Sequence, residues 1–202
     1  MDKKRIIYET EKLVFSKLEE EGSGHDWWHI ERVRKLSLVI AKEEGADIFV
    51  VELAALLHDL IDYKLPDQMR LTSAEVKEFL RRYSIDSSII EKVDLIIQTI
   101  SFRKKIPSDQ LSLEAKVVQD ADRLDAIGAI GIARTFAFAG SRGNVIYDPI
   151  SVKRTDAIWH FYEKLLLLKD KMNTRAGKKL AKERHEFLES FLTQFYAEWP
   201  SE

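Results

Sequence analysis

The sequence predicts an all-α fold. Apolar residues recur at helical spacing along most of the chain, capping residues stand where those runs begin, and no convincing run of alternating apolar and polar residues occurs. The 8 Gly and 4 Pro fall between the periodic segments. No linker, repeat or low-complexity tract divides the 202 residues, so a single helical domain over 1–202 is expected.

The elements follow in order. A first helix is expected from Lys3 to Glu20, ending before Gly22-Ser23-Gly24. A second starts near Asp26, turns Ile30, Val33, Leu36 and Ile40 to the core, and closes at Gly45. Asp47 can cap a third that runs through Leu60 and is apolar nearly all round, hence buried. Thr72 and Glu75 have capping-box spacing for a helix to about Arg82. Asp86 can cap the next, with Ile89, Val93, Ile96, Ile97 and Ile100 at helical period; β-branched residues also allow a strand there, but the period favours a helix. Pro107 and Ser108 mark a turn, and a long helix is expected from Ser112 to Ala137. Gly140 to Asn144 reads as a loop, followed by helices over Ser151–Lys169 and Thr174–Trp199.

Composition bounds the function. Apolar residues make up 45% and charged residues 33%, a globular balance. The net charge of −2 gives no strong field to recruit a nucleic acid polymer or an acidic membrane. Lys178, Lys179, Lys182 and Arg184 read as a solvated helix face. There are no cysteines, which excludes disulfides, thiolate zinc sites and a cysteine nucleophile. Neither a signal peptide nor an apolar run long enough to span a bilayer is visible, and a cytoplasmic location is expected.

Histidine is scarce, and its placement is informative. Of 5, His29 and His58 lie at core-like positions, and Asp59 follows His58 directly after an apolar run. A carboxylate is almost never buried without a partner or a metal. A divalent cation would offset its desolvation and accept a neutral imidazole nitrogen; a buried His hydrogen-bonded within its own Asp neighbourhood is the plainer alternative. Further on, Asp120, Asp122 and Asp125 crowd an apolar stretch, with Asp122 and Asp125 on one helix face. Such a pair invites a cation or a shared proton, unless it is an exposed acidic stripe.

The order His, His-Asp, Asp resembles the HD-domain superfamily of metal-dependent phosphohydrolases. The segments His25-Asp26-Trp27-Trp28-His29-Ile30, Leu57-His58-Asp59-Leu60-Ile61-Asp62 and Gln119-Asp120-Ala121-Asp122-Arg123-Leu124-Asp125-Ala126-Ile127-Gly128 are similar to a bacterial subfamily of stand-alone HD hydrolases, as are the stretches around His160 and Asn173. The resemblance implies an HD-type helical bundle, with a metal core over 25–125 and C-terminal helices over 150–199. It implies His29, His58, Asp59 and Asp122 as metal ligands. It also implies one cation, because two-metal relatives recruit further histidines and none occurs from Leu60 through Ala121. Mn²⁺ or Mg²⁺ suits such a set, with Co²⁺ or Ni²⁺ also acceptable.

The remaining roles extend outward from that core. Asp62, one helical turn after Asp59, is assigned proton transfer. Lys64, Arg123 and Arg134 are the candidate phosphate contacts. Asp125 would support the site, and Asp26 would either fix the His29 tautomer or cap the helix. Trp27 and Trp28 read as core anchors sooner than as a base-stacking platform, Gly128 and Gly131 as helix-packing residues, and His160 and His185 as structural. The expected reaction is hydrolysis of (deoxy)nucleoside triphosphates to monophosphate and pyrophosphate. A nucleoside monophosphate phosphatase with the same core, or a non-catalytic metal- and nucleotide-binding sensor, are the alternatives. The expected partner is a small nucleotide, with a homodimer allowed.

Overall fold

Asp2 opens the first helix by accepting a hydrogen bond from the backbone N–H of Arg5. The computed structural model describes residues 2–19, 26–62, 65–100, 106–150 and 152–199. Among them are α1 (Lys3–Leu18), α2 (Trp27–Glu44), α3 (Ile48–Leu57), α4 (Ser73–Arg81), α5 (Ser87–Thr99), α6 (Leu113–Asp125), α7 (Gly128–Ser141), α8 (Ala157–Glu163) and α9 (Arg175–Glu198). No strand occurs among the described residues, so the fold is all-α. No helix among them is long and apolar enough to cross a membrane.

The caps explain most of the boundaries. Asp26, Asp47 and Asp86 each accept a hydrogen bond from a backbone N–H in the first turn of the helix that follows. Thr72 and Glu75 form the reciprocal capping box of α4. Gly45 closes α2 in the left-handed conformation, with φ of 75°.

The chain divides into two compact units, Met1–Ala121 and Asp122–Glu202, and α6 runs across the boundary. In the first unit α3 is the central element, packed against α1, α2 and α5. That explains its composition. Phe49, Val50, Val51 and Leu53 through Leu57 are all buried, and each Phe, Val or Leu side chain so buried contributes about 1.5–3 kcal/mol. In the second unit α9 packs against α7, and its buried stripe runs through Ala176, Ala181, Leu188 and Leu192. Phe136, Phe161 and Phe191 make an aromatic cluster there, with ring centroids 5.5 to 6.1 Å apart.

Several expectations need correction. The third helix ends at Leu57, not Leu60, so His58 and Asp59 lie at and beyond its C-terminal cap. Leu36 is only half-buried, and Ser37 takes the fully buried place on α2. The single helix expected over Ser112–Ala137 is two helices, broken at Ala126 and Ile127. Gly128 stands at the break with φ of 75°, a conformation that costs other residues about 1–2 kcal/mol. The helix expected over Ser151–Lys169 shrinks to α8, capped by Asp156, followed by 3₁₀ turns at Leu165–Leu167 and Lys169–Lys171.

Candidate metal centre

The end of α3 and the start of α2 bring three donors together. Asp26 caps α2 by accepting from the backbone N–H of His29 at 2.7 Å, which fixes the first turn that carries His29. The turn after Leu57 carries His58 and Asp59. His29, His58 and Asp59 each offer a ligand atom within 4.8 Å of the others, and all three are buried, His29 completely.

The geometry is specific. Asp59 Oδ2 lies 3.2 Å from His29 Nε2, and Asp59 Oδ1 lies 3.3 Å from His58 Nε2. The two imidazole rings meet edge-on, with centroids 5.3 Å apart. His58 Nδ1 lies 2.8 Å from the Ala55 carbonyl oxygen. A carbonyl can only accept, so this nitrogen carries a proton and donates. In the neutral ring, Nε2 then presents a lone pair toward a carboxylate oxygen. Two acceptors facing each other in a buried place call for a cation or an extra proton between them. Two neutral imidazole nitrogens and one carboxylate, with one ring oriented by a backbone carbonyl, are a donor set that fits a divalent metal.

Asp62 is half-buried in the turn after Asp59, and its backbone N–H donates to the Asp59 carbonyl at 2.9 Å. Lys64 lies outside the described residues. Asp122 is half-buried near the end of α6, and Asp120 beside it is completely buried. Arg123 directs Nη1 to the Lys171 carbonyl. Asp125 is buried and accepts from Arg134 Nη1 at 2.9 Å, so Arg134 is oriented by Asp125. Trp28 is largely exposed, and Trp27 meets the Phe15 ring edge-on at 5.6 Å. His160 pairs through Nδ1 with Glu163 at 2.7 Å; burial holds its pKa below the ordinary value despite that partner.

Arg184 escaped the sequence reading. It stands among lysines that suggested a solvated face, yet its Nη1 donates to the Leu124 carbonyl at 2.5 Å. Burial lowers its pKa, opposed by the nearby charge of Asp125. Only the tertiary partner reveals it.

Comparison with known proteins gives the family of the chain. The HD domain family model matches residues 27–127. The Bacillus subtilis protein YpgQ is 48% identical over 189 residues, covering 93% of this chain and 90% of that protein. The crystal structure of Bacillus subtilis YpgQ in complex with ADP superposes with a TM-score of 0.88 at 44% identity, over 100% of this chain and 98% of that one. An HD-superfamily hydrolase from Bacillus thuringiensis gives a TM-score of 0.81 at 42% identity, over 99% and 100% of the two chains. This chain, which carries a buried His-His-Asp group, belongs to the HD-domain family and is a hydrolase of the HD superfamily.

Proposed function

We propose that the chain hydrolyses (deoxy)nucleoside triphosphates to a nucleoside monophosphate and pyrophosphate, acting as one HD-type domain over 1–202. The observation that carries this reading is the Asp59 carboxylate set between the His29 and His58 imidazoles in a buried place. The ADP complex of YpgQ supports a nucleotide as the ligand class.

Asp122 is the proposed fourth ligand beside His29, His58 and Asp59. These four residues would hold one divalent cation, Mn²⁺ or Mg²⁺ with Co²⁺ or Ni²⁺ as substitutes, which when bound would supply Lewis-acid polarisation of a phosphoryl oxygen and a more acidic water. The protein supplies the rest. Asp62 accepts the proton of the attacking water; the turn that sets Asp59 also sets Asp62. Lys64, Arg123 and Arg134 bind the phosphate oxygens and offset their charge, with Arg134 oriented by Asp125.

A nucleotide panel with Mn²⁺ tests this. Triphosphates are expected to yield monophosphate and pyrophosphate. Asp59→Ala is expected to lose at least about 100-fold in kcat/KM, beyond the usual cost of disturbing an outer-shell partner. Orthophosphate from monophosphates would replace the pyrophosphohydrolase by a phosphatase on the same core. Binding and a melting shift without turnover would make the protein a sensor. Full activity in Asp59→Ala would remove the site.

A further inference from the structure

The last turn of a helix presents carbonyl oxygens that have no partner within the helix. At the end of α6 the Leu124 carbonyl accepts from the Ile127 backbone N–H at 3.2 Å, and other elements add further contacts. Arg184, from α9, donates Nη1 to the Leu124 carbonyl at 2.5 Å. Arg134, from α7, donates Nη1 to Asp125 Oδ2 at 2.9 Å and lies 3.4 Å from the Asp125 carbonyl. Both guanidinium charges therefore sit at the negative end of the α6 dipole, where cations stabilise a helix.

The corner after α6 is equally confined. A Cβ added to Gly128 would lie 3.1 Å from Arg184 Cγ and 3.2 Å from Arg184 Cβ, so the Arg184 stem rests on the turn that ends the helix. A Cβ on Gly131 would lie 2.2 Å from the Ala126 carbonyl oxygen, so the first turn of α7 closes on the same corner. Neither glycine position has room for a side chain. Asp122 precedes Asp125 by three residues and shares its helix face, one turn from the clamp.

We infer that Arg184 is a positioning residue for metal binding: through the Leu124 carbonyl and its stem on Gly128, it holds the last turn of α6 and thereby the Asp122 carboxylate. The inference rests on the reading of Asp122 as a ligand. A simple structural tie would change stability alone. A positioning tie changes metal affinity in a chain that remains folded.

The test is Mn²⁺ binding to the 202-residue chain, followed by electron paramagnetic resonance of free and bound ion, beside circular dichroism melts of the metal-free proteins. Arg184→Met keeps the stem and removes the guanidinium. It is expected to weaken Mn²⁺ binding about 10-fold, the low end of outer-shell effects, with a wild-type metal-free spectrum. Arg184→Lys keeps a cation and is expected to restore most of the affinity. Lys182→Gln, on the exposed side of α9, is expected to bind like wild type. Arg184→Gln replaces Arg184→Met if the latter does not fold. Wild-type affinity in Arg184→Met, or equal losses in Arg184→Met and Arg184→Lys, overturns the inference. Asp122→Ala separates the two levels. If it binds Mn²⁺ like wild type, the ligand reading fails. If it loses Mn²⁺ while Arg184→Met does not, only the positioning role fails.

Discussion

Gly128 and Gly45 share a φ of 75° but not their surroundings. A Cβ on Gly45 meets nothing within 4 Å, whereas one on Gly128 meets the Arg184 stem. Gly45→Ala should therefore cost only the left-handed backbone term of about 1–2 kcal/mol, and Gly128→Ala that term plus crowding. Urea unfolding of the two variants checks this; equal losses would mean that the Arg184 stem yields freely. The pair also shows what the sequence discloses at this scale. Gly45 was legible as a helix stop because it follows a periodic run. Gly128 was not, because its role depends on an arginine from a distant part of the chain. The same holds for Arg184, whose partner Leu124 is 60 residues away. By contrast, His29, His58 and Asp59 stood out in the sequence, since titratable groups in apolar runs are rare unless something holds them.

At the scale of the element, side-chain caps were legible and the end of packing was not. Asp26, Asp47, Asp86 and the Thr72–Glu75 box set their helices from local chemistry alone. The break at Ala126 and Ile127, and the short α8 where a longer helix was expected, arise where apolar spacing continues but the backbone turns; Lys164, which ends α8, has φ of −138°. The α4–α5 pair adds a contact that spacing alone does not show. Asp94 on α5 is buried, yet it accepts from Ser73 Oγ at 2.5 Å and Gln98 Nε2 at 2.7 Å and pairs with Lys77 Nζ at 3.0 Å. Burial raises its pKa, and the combined contacts of Ser73, Lys77 and Gln98 outweigh it, so the folded pKa lies below the ordinary value. The charged form is thus favoured on folding. Its stabilising contribution is full above the unfolded pKa of about 3.9 and is lost as pH falls through the lower folded value. Asp94→Asn should cost about 1–3 kcal/mol near pH 7 and unfold with less loss of stability on acidification below about pH 4. Denaturant curves for both proteins at neutral and acid pH decide it. Parallel pH profiles would mean that Asp94 adds nothing through its charge.

For the whole molecule, the proposed ligands divide unevenly: His29, His58 and Asp59 belong to the first compact unit, and Asp122 is the first residue of the second. The sequence displayed all four but gave no sign that the chain divides between Ala121 and Asp122, because α6 is periodic straight across that point. Under the proposed ligand set, a bound cation would stabilise every part of the chain that supplies a ligand. At a free concentration of 100 times Kd, Mn²⁺ should add about 2.7 kcal/mol, which for a protein of this size corresponds to roughly 5–10 °C in Tm. The tryptophans make the test local, since Trp27 and Trp28 lie in the first unit and Trp159 and Trp199 in the second. Variants that retain one pair each should both report the upward shift in their fluorescence melts, and chelation should reverse it in both. Adding Asp122→Ala should remove the shift from the Trp159–Trp199 reporter. A shift confined to the Trp27–Trp28 reporter would mean that the first unit holds the metal by itself, and Asp122 would then lose its place among the ligands.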